Sequence, residues 1–457
     1  MTAANAARRP PVSACREFAL RPVPVLATIA AGGTGVLWLW WRDQPADLAT
    51  VGGWLTGAGR ITGLLAGYAI AVQLLLMSRA PALDRGIGAD RLARWHAFGG
   101  QYAIGLMAAH TVLITWGYAA TAHEGVIGQA GGLLASYPDV LMATAAFGLF
   151  LLVAALSVRA ARRRLRYETW YYIHLYTYLA LALAFAHVFA DGNDFRADPA
   201  ARIGWTTLYV GTGLILFTYR IAVPAVGAFR HRLRVVAVRP EAPGVTSLHI
   251  AGRNLAALRP QPGQFFRWRF LTRDGWWQSH PFSVSALPVR NSGRLRITVK
   301  ALGDYTASLQ HTMPGTRVIA EGPYGAATPA VRESGQVALL AGGVGITAIR
   351  ALAEAFSGGR PHQAVLLYRV NTEREVVFRT ELDALARRGG LDVHYLVGPP
   401  GSAADVLAGD RLTAAVPDIA GRDVFVCGPA GFTEAAMRAL HRSGVPAARV
   451  HTERYEF

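Results

Sequence analysis

Cysteine is nearly missing from this sequence. Only Cys15 and Cys427 occur among 457 residues, which excludes a disulfide framework, and no Cys-x-x-Cys-His is present, which excludes a covalently attached c-type haem. Acidic charge is scarce as well: 29 Asp and Glu stand against 46 Lys and Arg, a formal net charge of +17. Long apolar runs are missing from the second half, where none recurs beyond about Phe229. The chain is therefore not membrane-embedded throughout, and its length leaves room for about three domains.

What is present is concentrated in the first half. Hydrophobic residues make up 52% of the chain and the mean hydropathy is +0.26. Six apolar runs, Val23 to Trp41, Trp54 to Met77, His96 to Tyr118, Val140 to Val158, Thr169 to Ala190 and Ile203 to Val223, are each near the roughly 20 residues that cross a bilayer core. The arginines follow them. Arg8, Arg9, Arg16 and Arg21 precede the first run; Arg79, Arg85, Arg91 and Arg94 lie between the second and third. Arg159, Arg162, Arg163, Arg164 and Arg166 join the fourth to the fifth, and Arg230, Arg232 and Arg234 follow the sixth. The alternate loops instead hold Asp43, Asp47, Glu124, Asp191, Asp194 and Asp198. By the positive-inside rule both termini are expected to be cytoplasmic in a multi-pass cell-membrane protein, and the basic charge needs no nucleic-acid partner. The first run ends in Trp38, Trp40 and Trp41 rather than a small-residue cleavage site, so it reads as a retained helix, after a disordered segment covering residues 1–20.

Four histidines interrupt these runs: His96 and His110 on the third, His174 and His187 on the fifth, at spacings of 14 and 13 residues. One histidine in a membrane helix can hydrogen-bond across to a neighbour. Two matched pairs of a common haem ligand, in a medium where an ionisable group is costly, point instead to two haems. Within each helix the histidines are roughly 20 Å apart at about 1.5 Å per residue. The third and fifth spans run in the same direction, which puts His96 level with His174 and His110 level with His187. An inner and an outer haem, each with two histidine ligands, follow from that alignment. At about 100° per residue, 14 steps return to within roughly 40° of one face, whereas 13 miss by roughly 140°. The second pair thus calls for a bulge, a bend, or haems approached from different sides.

From Leu233 to about Thr328 the pattern is one of short strands punctuated by Gly and Pro, such as Gln264 to Phe270 and Arg294 to Lys300, and fits a small antiparallel barrel. In it stand His280-Pro281-Phe282-Ser283-Val284-Ser285, Lys300-Ala301-Leu302-Gly303-Asp304-Tyr305-Thr306 and Glu321-Gly322-Pro323-Tyr324-Gly325. After Gly335 the pattern becomes strand, glycine turn, helix. Val337 to Leu340 leads into Gly342-Gly343-Val344-Gly345-Ile346-Thr347, where backbone N–H groups at a helix start can approach a pyrophosphate. Strands at Ala364 to Tyr368, Asp392 to Val397 and Asp423 to Cys427 alternate with helices, which implies a mostly parallel sheet.

In this order, together with Val424-Phe425-Val426-Cys427-Gly428-Pro429 and a terminal Glu453-Arg454-Tyr455-Glu456-Phe457, the motifs resemble the ferredoxin-reductase-type flavin and nicotinamide module. Preceded by paired histidines on apolar spans, the chain resembles the ferric reductase and NADPH oxidase superfamily from about Arg21 to Phe457. The resemblance implies a membrane haem domain over 21–228, an FAD-binding barrel over 229–332 and an NAD(P)H-binding α/β domain over 333–457. It implies FAD held by His280, Pro281, Phe282, Ser283, Val284 and Ser285, with the Ser283 hydroxyl near the flavin ring, and by Lys300, Gly303, Asp304, Tyr305, Thr306 and Gly322. It further implies a nicotinamide dinucleotide on Gly342, Gly343, Gly345 and Thr347, with Cys427, Gly428 and Pro429 beside the nicotinamide and Phe457 over the isoalloxazine. Arg369, at the end of the second strand of the α/β domain, favours the 2′-phosphate of NADPH over NADH. Arg60, early in the second span, is a candidate partner for a haem propionate or an interfacial charge. Oxygen-reducing relatives often add a histidine where this chain has Ile114, a departure that speaks against direct oxygen reduction.

The activity so implied is electron transfer from cytoplasmic NADPH through FAD and two b-type haems to a small acceptor outside, dioxygen or a ferric chelate. Two other readings stay open: a membrane-tethered flavin reductase feeding a partner oxygenase, and a non-catalytic membrane assembly or sensor protein.

Overall fold

The structure, a computed structural model, describes residues 20–42, 49–165, 167–190, 198–288, 293–358, 360, 362–402 and 405–452. Arg8, Arg9, Cys15, Arg16, Asp43, Asp47, Arg166, Asp191, Asp194 and Phe457, along with the rest of residues 1–19, lie outside the described residues. Contacts divide the chain into two compact units, Met1–Leu83 with Ala89–Tyr219, and Asp84–Gly88 with Arg220–Phe457.

The first unit is helical. Its principal helices are α1 (Pro22–Arg42), α2 (Val51–Leu76), α3 (Ala89–Ala122), α4 (Val126–Ser136), α5 (Pro138–Ser157), α6 (Tyr167–Ala190) and α7 (Pro199–Phe217). Their starts are written in the sequence. Thr50 caps α2 by accepting the Gly53 N–H at 3.1 Å, Asp198 caps α7 by accepting the Ala200 N–H at 2.9 Å, and Pro138 and Pro199 occupy first-turn positions that need no N–H donor. Asp198 also pairs with Arg42 at the end of α1. Among the described residues, five helices are long and apolar enough to cross a membrane: Pro22–Arg42, Val51–Leu76, Arg91–Ala122, Pro138–Ser157 and Pro199–His231. Six spans were expected from the sequence. The remaining one, Thr169 to Ala190, coincides with α6, a 24-residue helix outside those five. Beyond α7, one π turn over Thr218–Ala222 leads into α8 (Val223–His231). Pro224, which cannot donate to a preceding carbonyl, accounts for the irregular turn.

The second unit holds two sheets. Strands β1 (Arg234–Ala242), β2 (Val245–Ala251), β3 (Phe265–Phe270), β4 (His280–Ala286), β5 (Arg294–Lys300) and β6 (Val318–Tyr324) form an antiparallel sheet in the order β1-β2-β5-β4-β3-β6. Alternation explains its core: Phe266, Trp268 and Phe270 are fully buried, while Arg267 and Arg269 between them reach the surface. The antiparallel sheet expected from the sequence is present, without a ladder that closes it into a barrel. Among the described residues the edge strands β1 and β6 share no ladder, but the sheet's ends meet through the bridge of Arg234 to Arg317 and through backbone bonds in which Val235 donates to Thr316, Gly315 to Val235 and Val318 to Leu233. Strands β7 (Val337–Gly342), β8 (Ala364–Val370), β9 (Leu391–Val397), β10 (Asp423–Cys427) and β11 (Val450–Thr452) form a parallel sheet in the order β11-β10-β7-β8-β9. Leu339, Leu366 and Phe425 enter one apolar cluster, and Leu340, Leu367 and Val424 another. Burial on both faces is why these strands read as unbroken apolar runs.

Candidate electron-transfer sites

In the helical unit, α3 and α6 bring the four histidines into two pairs. The ring centroids of His96 and His174 are 5.9 Å apart, and those of His110 and His187 are 6.3 Å apart. Helix α6 is continuous from Tyr167 to Ala190, with no bulge between His174 and His187. Of the three routes that the 13-residue spacing allowed, a bulge is thereby removed, leaving a bend or haems approached from different sides. The pairs are fixed by their surroundings. His110 Nδ1 donates to the Gly59 carbonyl on α2 at 2.8 Å, and His187 Nδ1 donates to Asp139 Oδ2 at the start of α5 at 3.3 Å. Each bond leaves the opposite nitrogen, Nε2, as the one able to take a metal. His174 stacks on Trp170 at 5.2 Å, and the Arg162 guanidinium lies 4.6 Å from the centre of that indole.

Glycine makes room for His110. A Cβ at Gly63 would stand 2.5 Å from His110 Nδ1, and one at Gly59 would stand 2.8 Å from the Ile114 nitrogen. The helix pair α2–α3 can therefore carry an imidazole between its backbones only because small residues line that face of α2. A bis-imidazole haem fits this arrangement. With metal–nitrogen bonds of about 2 Å, two imidazoles across one iron have ring centroids about 6 Å apart, close to the two separations found. Arg60 follows Gly59 on α2, one residue from the carbonyl that orients His110.

In the antiparallel sheet, β4 carries the His280 to Ser285 segment. Trp268 Nε1 donates to the Phe282 carbonyl at 2.9 Å, and Arg267 donates to the Ser279 carbonyl at 3.0 Å, so the strand's start is anchored to β3. The His280 ring stacks on Tyr305 at 4.2 Å. That contact joins the His280 segment to the Gly303-Asp304-Tyr305-Thr306 turn, which opens the short helix α9 (Asp304–Ser308). Thr306 Oγ1 accepts the N–H groups of Leu302 and Gly303 at 2.9 and 3.0 Å and so sets the turn, and Lys300 ends the strand leading into it. Burial pushes the Tyr305 hydroxyl up to about 12, keeping it a neutral phenol. Gly322 has φ +145°, and a Cβ there would meet Phe266 at 2.9 Å, so only glycine serves.

Ser283 and Ser285 differ in setting. Ser283 is buried on β4, which pairs it with Phe265. Ser285 is fully buried and belongs to a network reaching the α/β domain: its hydroxyl meets Thr298 Oγ1 at 2.9 Å and accepts Arg296 Nε at 3.1 Å. The Arg296 guanidinium then grips Glu381, on α11 (Arg379–Arg387), through bonds of 2.5 and 2.8 Å. Arg350, on α10 (Ile346–Phe356), donates to Glu381 at 2.9 Å and to the Ser285 carbonyl at 3.2 Å. Burial alone would raise the Glu381 carboxyl, but the bonds and charges of Arg296 and Arg350 hold it below the usual carboxylate range.

The nicotinamide-type motifs meet at the C-terminal ends of the parallel strands. Between β7 and β10 the strand order reverses direction, and such a switch point opens a crevice for a dinucleotide. In register, Cys427 lies beside Ala341, and Gly342 beside Arg369. A Cβ at Gly345 would fall 2.1 Å from the Cys427 carbonyl oxygen, and one at Gly342 or Gly428 would fall 2.5 Å from the Phe432 ring. Gly343 has φ +52°. These glycines are thus what lets the β7 turn close on the end of β10. Thr347 lies in the first turn of α10, and Pro429 precedes α12 (Ala430–Arg442). Cys427 is only 4% exposed.

Arg369 is less open than the sequence suggests. Its side chain is 11% exposed and lies 4.0 Å from Asp405, whose carboxylate also accepts the N–H groups of Gly401 and Leu407. Sequence reasoning also missed Asp139, Gly59, Gly63 and the Arg296–Glu381–Arg350 network. Only Asp139 left a trace, as an acidic residue opening an apolar run.

Three family models match successive parts of the chain. The model of a ferric reductase like transmembrane component matches residues 62–185, that of an FAD-binding domain residues 243–328, and that of an oxidoreductase NAD-binding domain residues 339–438. The ferredoxin–NAD(+) reductase component of an alkene monooxygenase system from Xanthobacter autotrophicus is 34% identical over 42% of this chain and 61% of its own length. The ferredoxin reductase component of a 3-ketosteroid-9-alpha-monooxygenase from Mycobacterium tuberculosis is 34% identical over 43% of this chain and 55% of its own. The chain thus spans about 55 to 61% of the length of these curated relatives. Among solved structures, the ferredoxin reductase in carbazole 1,9a-dioxygenase aligns at a TM-score of 0.40 and 21% identity, over 50% of this chain and 69% of that one. A ferric reductase-like transmembrane domain followed by FAD-binding and NAD-binding oxidoreductase domains is the architecture of the ferric reductase and NADPH oxidase superfamily, and the chain has that architecture.

Proposed function

We propose that the chain is a transmembrane oxidoreductase that carries electrons from cytoplasmic NAD(P)H to a small acceptor on the opposite side of the membrane. The observation that carries this reading is the pair of imidazole couples, at 5.9 and 6.3 Å, in the helices that precede the reductase domains. FAD and haem, when bound, supply the conversion of a two-electron hydride into single-electron transfers. In this reading α6 is a sixth span and both termini are cytoplasmic, in keeping with the arginine distribution. His96 and His174 serve the inner haem, His110 and His187 the outer, and Arg60 lies toward the outer one.

The soluble half supplies the remaining roles. His280, Tyr305 and the Thr306-fixed turn form one connected wall for FAD, with Ser283 toward the flavin ring. Gly342, Gly343 and Gly345 bring backbone N–H groups to the dinucleotide phosphates, with Cys427 toward the nicotinamide. Arg369 favours NADPH, and a 2′-phosphate would have to draw its guanidinium away from Asp405. Phe457 remains the proposed cover of the flavin.

The curated relatives favour a second reading, because both are described as reductase components of monooxygenase systems. There the membrane unit would anchor a reductase whose electrons go to a partner protein on the same side. Proteoliposomes loaded with NADPH separate the two. External superoxide or ferrous iron that disappears on replacing His110 or His187 by leucine supports transmembrane transfer. Electron delivery to a soluble oxygenase that survives loss of all four histidines supports the second.

A further inference from the structure

We infer that Asp139 is a positioning residue that holds His187 and lowers the reduction potential of the outer centre; the inference rests on the bis-imidazole reading above. The two outer imidazoles have unlike partners. His110 donates its Nδ1 proton to a neutral carbonyl, Gly59, at 2.8 Å, whereas His187 donates to a carboxylate, Asp139, at 3.3 Å. Both side chains of the His187–Asp139 pair are largely withdrawn from solvent, 27% and 16% exposed, so the charge is weakly screened. Asp139 occupies the first turn of α5, where the helix dipole favours an anion, with Pro138 beside it in that turn.

Two effects follow with the same sign. A carboxylate accepting the Nδ1 proton makes the imidazole a stronger donor through Nε2. The ferric centre also carries one positive charge more than the ferrous, so a nearby anion stabilises the oxidised form. Both lower the potential, and hydrogen bonding to a ligand is one of the protein's levers on it. An outer centre set low suits an acceptor that is itself hard to reduce.

The test is an anaerobic redox titration of the purified, haem-loaded full chain, wild type against Asp139→Asn and Asp139→Glu. Asp139→Asn is expected to shift the outer centre's equilibrium toward the reduced form by at least tenfold, about 59 mV upward for one electron. The inner centre's midpoint and the haem content are expected to stay as in wild type. Asp139→Glu, which keeps the charge, is expected to restore most of the difference. Loss of the outer haem in Asp139→Asn with retention at low potential in Asp139→Glu would also support the inference. An unmoved outer midpoint in Asp139→Asn at full haem content would overturn it, as would equal haem loss in both variants. Wild-type protein that binds no haem would instead remove the bis-imidazole reading itself.

Discussion

Glu381 is the residue through which the antiparallel sheet and the α/β domain are tied together, and the cost of losing it can be worked out from its bonds. It accepts two hydrogen bonds from Arg296, at 2.5 and 2.8 Å, and one from Arg350, at 2.9 Å. Arg296 is 7% exposed and leaves a buried cation behind when its partner goes. Removing one member of a buried ion pair costs about 3–5 kcal/mol. The Glu381 side chain is 35% exposed, and solvent screening brings the figure toward about 2–3 kcal/mol. At about 2–4 °C per kcal/mol for a unit of this size, Glu381→Gln is expected to lower Tm by about 4–12 °C. Thermal release of FAD fluorescence from the full chain reads that shift. The pH dependence has a definite sign: because the Glu381 carboxyl is depressed, its contribution is complete above the ordinary carboxylate range and is lost as pH falls through its lower folded value. The gap between wild type and variant is therefore expected to be full at pH 7 and to close below about pH 4. An unchanged Tm at pH 7, or a gap that persists undiminished in acid, would refute the reasoning.

Two further substitutions probe the close approaches. Gly63→Ala places a methyl 2.5 Å from His110 Nδ1; alanine favours the helix by about 1 kcal/mol, so loss of the outer haem with α2 intact, seen as halved haem per chain at unchanged helicity, is expected. Gly345→Ala places a Cβ 2.1 Å from the Cys427 carbonyl, and overpacking of that kind costs about 1–3 kcal/mol. NAD(P)H is expected to bind at least tenfold more weakly in a stopped-flow titration of flavin reduction, while FAD content holds.

Much of the fold was legible because bilayer crossing and strand burial leave one-dimensional signatures. Apolar runs gave α1, α2, α3, α5, α6 and α7 to within a few residues at most of their ends, since a span is defined by length and hydropathy alone. Helix α4, 11 residues long, is too short to register that way. The order in which β1 to β6 pair, and how far the sheet closes, depends on edges far apart in sequence, so the antiparallel sheet was legible and its partial closure was not. The histidine pairs were readable from their spacing, because two helices running the same way keep equal offsets level. Their supports were not. Asp139 is 48 residues from His187, and Asp405 is 36 from Arg369; partners that meet only in the folded chain leave no periodic trace. Ser285 shows the same limit, since a motif groups it with Ser283 while its hydrogen bonds join it to Thr298 and Arg296.

The most direct measurement is haem content and low-spin bis-imidazole absorption in the purified chain, alongside variants with leucine at His96, His110, His174 or His187. Two haems in the wild type, and one after either substitution in a pair, with NAD(P)H still reducing the flavin, is the predicted result. Haem that is absent from the wild type, or whose amount and spectrum are indifferent to all four substitutions, would contradict the account.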